Sequence, residues 1–326
     1  MTLLPIAVTA ICLLLLALHL WTRHLTKTGT RRVPQAGQIV PVDGGNIHYV
    51  AAGDPSRPAL VMIHGLTGQL QHFTYEMAHR LTDRFYVIAL DRPGCGYSTR
   101  DCARLATLPE QARMIHEFLQ AIHVKDPILV GHSLGGAVSL AMALDYPNHV
   151  RGLALLAPLT HRVPETPAIF KALEIRSESV RHLIANTIAV PLARLTAPHV
   201  IDQAFAPEPA PDDFLDRAGG ALGLRPSAYV TGSQDLAGVD TSIDSQVARY
   251  GDLQVPGGIL FGADDPILSP ERQGASMAAF GLVYERLAGR GHMIPMTAPD
   301  DCADFVRRVA ENALRTDPTP SNPSRA

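Results

Sequence analysis

The chain of 326 residues reads as an α/β protein: a mostly parallel sheet flanked by helices, with a helical cap inserted and a transmembrane helix in front. Short apolar, β-branched runs alternate with segments of helical period between about residues 38 and 160, and the alternation resumes after 251. Such alternation implies right-handed βαβ units. From 161 to 250 it stops, and an Ala-, Leu- and Pro-rich stretch takes its place. Ahead of the whole pattern stands a predominantly apolar stretch long enough to cross a bilayer.

That stretch is Leu3–Trp21, apolar apart from Thr9 and His19. About 20 residues at 1.5 Å each match a hydrocarbon core of roughly 30 Å. A cleaved signal peptide is the competing reading, but no Lys or Arg precedes the run and no A-x-A site ends it. Cys12 follows Ile11, a poor lipoprotein junction. Arg23, Lys27, Arg31 and Arg32 come after it and Trp21 sits where an interfacial anchor belongs, so the positive-inside rule places the following domain in the cytoplasm. Residues 1–32 are expected to be a single-span anchor followed by a short basic linker.

Residues 33–160 supply the first part of the core. Gln38–Val42 and Asn46–Ala52 form two strands around the turn Asp43-Gly44-Gly45. Ala59–Ile63, Tyr86–Leu90, Ile128–Val130 and Leu153–Leu156 are short buried strands. In Pro109–Ile122 the residues Ala112, Ile115, Leu119 and Ile122 share one helical face, and Thr107 with Glu110 fits a capping box. Leu134–Leu144 is the next helix, closed by Tyr146-Pro147-Asn148. The cap over 161–250 holds short helical pieces such as Ser177–Thr187. Over 251–315 the strands Gly257–Phe261 and Leu282–Arg286 return, with an amphipathic helix at Pro299–Leu314. A disordered tail is expected over 316–326.

Composition excludes several function classes. With 46% hydrophobic and 18% charged residues the chain is neither disordered nor fibrous. A net charge of -3 argues against a nucleic-acid partner. Cys12, Cys95, Cys102 and Cys302 follow no CxxC spacing and read as free thiols. No HExxH or P-loop pattern occurs, and Gly94-x-Gly96 lacks the third glycine of a dinucleotide loop, so no metal or cofactor is expected.

The chemistry concentrates at Val130-Gly131-His132-Ser133-Leu134-Gly135-Gly136, a strand, a sharp turn and a helix containing G-x-S-x-G. Ser133 on a strained turn projects its hydroxyl above the sheet, and the helix behind it aims free N–H groups where negative charge develops. A serine hydroxyl needs a base, and the base needs an orienting carboxylate. Among histidines well beyond the nucleophile, His161, His182 and His199 lie in the cap, whereas His292 follows the last core strand on a glycine-flanked loop. For the acid, Asp264 and Asp265 both follow the strand Gly257–Phe261, and one of them can serve simply to cap the turn.

The sequence resembles the α/β-hydrolase superfamily from about Gln38 to Leu314, through His64-Gly65-Leu66-Thr67-Gly68, Asp91-Arg92-Pro93-Gly94-Cys95-Gly96-Tyr97-Ser98, Gly131–Gly136, Gly262–Ile267 and Gly291-His292. The resemblance implies that the acid stands three residues after the glycine ending its strand, which selects Asp265. It implies oxyanion N–H groups at Leu66 and Leu134, a bracing role for His64, and structural roles for Asp91 and Cys95. Serine at 133 separates the chain from the epoxide hydrolases and haloalkane dehalogenases of this fold, which use an aspartate nucleophile. One span joined to this domain is similar in architecture to membrane-anchored monoacylglycerol lipases.

The expected function is therefore that of a membrane-anchored serine hydrolase cleaving carboxylic esters, with Ser133, His292 and Asp265 as triad and a small ester or lipid-like substrate. Hydrolysis of a carbon–carbon bond by the same triad and a non-catalytic binding module on this scaffold are the alternatives.

Overall fold

The computed structural model describes residues 3–315, so the tail expected over 316–326 lies outside the described residues. The elements in chain order are helix α1 (Leu3–Arg32), strands β1 (Gln38–Val42), β2 (Gly45–Ala52), β3 (Ala59–Ile63), β4 (Tyr86–Leu90) and the two-residue β5 (Thr99–Arg100). Helix α2 (Leu108–Ala121), β6 (Ile128–His132), α3 (Leu134–Asp145) and β7 (Gly152–Leu156) complete the first half. After the cap come β8 (Gly257–Gly262), β9 (Val283–Leu287) and a C-terminal helix (Pro299–Arg315).

The strands form one sheet in the order β1-β2-β4-β3-β6-β7-β8-β9, with β5 pairing β2. All pairs from β4 to β9 are parallel, and β1 and β2 add antiparallel strands at one edge. The central strands are buried on both faces, which is why they read as continuous apolar runs in place of alternation. From β4 the chain crosses back over β3 to reach β6, so the winding direction reverses between β3 and β6. In open α/β sheets the crevice at the carboxyl ends beside such a switch point is where ligands bind. The His64-Gly65 loop leaves β3 there, and Ser133 leaves β6 there.

Within the core, strand and helix expectations hold to within a residue or two. The capping box does not form: Thr107 makes no side-chain cap bond, and the Glu110 carboxylate instead accepts from Arg113 Nε at 2.9 Å. Helix α3 is buried on every side, so its apolar residues have no polar face to alternate with.

The insertion carries no strand among the described residues, as expected, but its helices are longer than the sequence pattern suggests. Helix α4 (Glu178–Ile184) runs through a π turn at Ala185–Ala189 into α5 (Val190–Phe205), and α6 (Pro226–Val247) spans 22 residues. The buried face of α6 is small and polar, including Gly232, Ser233, Asp235, Gly238 and Ser242, so no apolar stripe marked it. It lies against the core: Gln246 Nε2 donates to Ala137 O at 3.1 Å, and Ser242 Oγ accepts from Leu108 N at 3.2 Å.

The expected basic linker is instead the second half of one continuous helix. It is not free chain: Leu15, Leu18, His19, Thr22, Leu25, Gly29 and Val33 follow one another at helical spacing and are wholly or partly covered. Thr22 Oγ1 donates to Thr187 O at 3.1 Å, Thr26 Oγ1 to Leu224 O at 3.2 Å, and Arg32 clasps Asp216 through two bonds of 2.6 and 2.7 Å. A side chain at 29 would run into Ala221 O, so glycine there lets α1 seat closely on the cap. By length and composition α1 is the one helix among the described residues able to cross a membrane.

Candidate active site

Ser133 sits at φ 53°, ψ −123°, a conformation costly for a residue with a Cβ and typical of a functional turn. Its backbone is over-determined: Ser133 N donates to Leu156 O at 3.1 Å, while Ser133 O accepts from Gly136 N at 2.8 Å and Leu159 N at 2.9 Å. A Cβ at Gly135 would run into Ile63 O, which explains the second glycine of the motif. A Cβ at Gly65 would lie 2.8 Å from Ser133 Cβ, so the loop carrying Leu66 passes directly beside the serine. Leu134 opens α3, with its N–H in the first turn.

His292 is 4% exposed, and its Nδ1 donates to Asp265 Oδ2 at 2.7 Å. The other oxygen, Asp265 Oδ1, accepts from Ile267 N at 2.8 Å and Leu268 N at 2.9 Å. These three donors fix the carboxylate, and in the neutral imidazole the bond from Nδ1 leaves Nε2 as the acceptor. Asp264 is exposed and turns away, its backbone N–H bonded to Arg290 O. Of the two adjacent acids, only Asp265 reaches the histidine. His132, next to the serine, donates from Nε2 to His292 O at 3.0 Å, and the two rings lie 4.9 Å apart. Five sequence-predicted residues, Ser133, Leu134, Leu66, Asp265 and His292, thus come from loops at the carboxyl ends of β6, β3, β8 and β9.

His64 is fully buried and donates from Nδ1 to Gly65 O at 2.9 Å while its Nε2 accepts from Arg92 N at 2.9 Å. Both ring nitrogens are spent, so it braces the loop and has no capacity left for base catalysis. Burial, then the Arg92 charge, holds its pKa well below the usual histidine range. Asp91 is likewise buried, accepting from Leu70 N, Tyr97 N and His48 Nδ1 at 2.7–2.8 Å. Burial pushes the Cys95 thiol up to about 12, so it is an inert packing residue.

Three residues escaped the sequence reading. Arg92, fully buried, donates from Nε to His64 O at 2.8 Å and from Nη2 to Gly65 O at 2.9 Å. Its Nη1 meets Asp235 Oδ2 at 2.7 Å, and Arg100 Nη1 takes the other oxygen of Asp235 at 2.6 Å. Asp235 lies on α6, so a cap carboxylate fixes the guanidinium that fixes the loop beside Ser133. From the same insertion Glu208 accepts from Gly291 N at 2.7 Å and pairs with Arg290 at 2.9 Å, holding the turn before His292. Arg92 stood within a quoted motif; Asp235 and Glu208 carry no local signal.

Among the described residues no group of three or more His, Cys, Asp or Glu side chains is arranged to hold a metal ion. A small cavity of about 20 Å³ at the core–cap seam, lined among others by Thr67, Gly94, Arg225 and Gly232, has room for a water and touches none of Ser133, Asp265 and His292.

A sequence profile described as the alpha/beta hydrolase fold matches residues 58–299. A monoacylglycerol lipase of Xenopus laevis, abhd6-B, is 26% identical over 281 residues, covering 82% of this chain and 80% of its own. The uncharacterized hydrolase YugF of Bacillus subtilis is 35% identical over 115 residues, covering 35% of this chain and 42% of that protein. The chain thus spans less than half of YugF. Among solved structures, a membrane phospholipase A described as a bacterial virulence factor superposes with a TM-score of 0.67 at 20% identity, covering 96% of this chain and 98% of its own.

Proposed function

The chain belongs to the α/β-hydrolase family, and on that premise we propose that it is a membrane-anchored serine hydrolase acting on carboxylic esters. The observation that carries this reading is the Asp265–His292 pair at 2.7 Å, tied to the serine turn through the preceding residue, His132, whose Nε2 donates to His292 O at 3.0 Å. In the proposed cycle Ser133 Oγ attacks the ester carbonyl carbon while His292 Nε2 takes its proton. Asp265 keeps the proton of His292 on Nδ1 and stabilises the imidazolium that forms. The backbone N–H groups of Leu66 and Leu134 hold the oxyanion. Collapse of the tetrahedral intermediate expels the alcohol, protonated by His292, and leaves an acyl-Ser133 ester. Water, deprotonated by the same histidine, then releases the acid.

The similarity to a monoacylglycerol lipase over 82% of the chain supports an ester or lipid-like substrate. Helix α1 supports the anchor: its apolar half is long enough to span, and the basic residues Arg23, Lys27, Arg31 and Arg32 follow it, which favours a cytoplasmic catalytic domain. A fluorophosphonate probe tests the nucleophile. Wild type is expected to be labelled and to hydrolyse a short-chain aryl ester, and Ser133→Ala to do neither. Equal labelling of Ser133→Ala overturns the assignment; no labelling of either, with no ester turnover, favours a binding module.

A further inference from the structure

Outside α1, eight large hydrophobic side chains are exposed among the described residues, and five of them lie on the single helical run formed by α4, the π turn and α5. They are Val180 (44% exposed), Leu183 (57%), Ile188 (46%), Leu192 (47%) and Leu195 (67%). Their separations are three, five, four and three residues. Steps of three and four keep side chains on one face of an α-helix. The five-residue step falls across the π turn Ala185–Ala189, whose i→i+5 repeat keeps Leu183 and Ile188 in line. The result is one apolar stripe facing away from the fold, an arrangement soluble surfaces seldom carry without a partner.

The position of the stripe identifies the partner. The π turn is packed on α1, with His19 Nδ1 3.0 Å from Asn186 O and Thr22 bonded to Thr187 O. Cap coverage of α1 extends up to Leu15, six residues above Trp21, which is about 9 Å at the α-helical rise. A cap beginning at the interfacial tryptophan and reaching about 9 Å further is at the depth of an interfacial helix, roughly 5–10 Å into the headgroup and acyl boundary. Between residues 179 and 201 there is no Asp or Glu, whereas His182, Arg194 and His199 are exposed. Arg194 supplies the fixed positive charge within the stripe, Glu178 and Asp202 lie just outside it, and an apolar face with one cation and no acid among its residues matches an anionic leaflet.

We propose that the α4–α5 stripe is a bilayer-docking surface, immersed in the leaflet through which α1 passes, so that the cap is held in the lipid interface. This rests on the reading of α1 as a membrane span. At its other end α5 packs Phe205 with Met293, next to His292. One helix of 16 residues, about 24 Å long, therefore connects the proposed lipid contact to the active-site wall.

Fluorescence of the full chain in vesicles tests it, because Trp21 is the sole tryptophan. In vesicles of phosphatidylcholine and phosphatidylglycerol brominated on the acyl chains, Trp21 of the wild type reports the anchor, and Leu195→Trp in a Trp21→Phe background reports the stripe. Leu195→Trp is expected to lose most of its emission relative to unbrominated vesicles, and Leu314→Trp in the same background, at an exposed position of the C-terminal helix, to keep it. Quenched Trp21 with unquenched Leu195→Trp overturns the docking surface and leaves the anchor standing. Unquenched Trp21 in a chain that does not float with vesicles overturns both. Leu195→Trp shielded from aqueous iodide yet unquenched by bromolipid means a second copy covers the stripe, which also overturns the proposal. The pair Leu192→Ser and Leu195→Ser is expected to lose hydrolysis of a vesicle-embedded ester while keeping that of a short soluble one; equal loss on both refutes a docking role.

Discussion

Replacing Asp265 by Asn separates a charge from a shape, and the structure says how. Oδ1 faces two backbone donors, Ile267 N and Leu268 N, at 2.8 and 2.9 Å. The amide of Asn must therefore place its carbonyl oxygen there, because the flipped amide turns its NH2 on two part-buried backbone N–H groups and leaves both unsatisfied, up to about 1–3 kcal/mol each. In that orientation the NH2 group points at His292 Nδ1, which must then accept. The imidazole proton moves to Nε2, the atom that has to take the proton of Ser133. The nearly isosteric change thus locks the wrong tautomer. In the serine-protease triad the same replacement costs about 10⁴ in kcat, or about 5 kcal/mol of barrier. We expect a loss of that order here, read as kcat on a water-soluble short-chain ester and as the rate of fluorophosphonate labelling. Asp264→Asn, at an exposed position bonded only through its backbone, is expected to stay close to wild type. Retention of kcat within about tenfold by Asp265→Asn, or collapse of Asp264→Asn, refutes the tautomer argument.

Asp235→Asn leaves Arg92 and Arg100 buried against a neutral group, which for a broken buried pair costs about 3–5 kcal/mol; chemical denaturation measures it, and a change below about 1 kcal/mol would show that water compensates. Burial lowers His72 to about 4, whereas the unfolded chain takes that proton near 6.5, so protons favour unfolding and stability falls as pH drops from 6.5 to 4, by about 3 kcal/mol from this group. His64 and His132, also depressed by burial, act in the same direction, and His72→Gln should flatten the slope of denaturation free energy over that window. A chain starting at Val33 should still label at Ser133, since none of the described hydrogen bonds of α1 reaches the triad, but should melt lower than the full chain. Loss of the buried Leu25 side chain alone represents about 1.5–3 kcal/mol, and equal melting temperatures of the two chains in the same detergent would show that α1 is only a tether.

The sheet and the elbow were legible in the chain alone, and one histidine stood out by its place. Each rests on local information: a β-branched apolar run of five residues, glycines where a side chain collides with backbone, a histidine on the loop after the last strand. The choice of Asp265 over its neighbour came from family resemblance, and tertiary structure supplied the physical reason, a 2.7 Å bond that only one of the two acids can make. The basic linker expected at the end of residues 1–32 proved helical for a related reason. Basic residues mark both a membrane flank and the solvent face of a docked helix, and only Asp216, Ala221 and Thr187, 165 to 192 positions away from their partners in sequence, distinguish the two. Asp235 and Glu208 were invisible on the same ground, and so was the role of Arg92 within its motif. A buried ion pair across an insertion is a property of two segments brought together, and neither segment carries its signature alone.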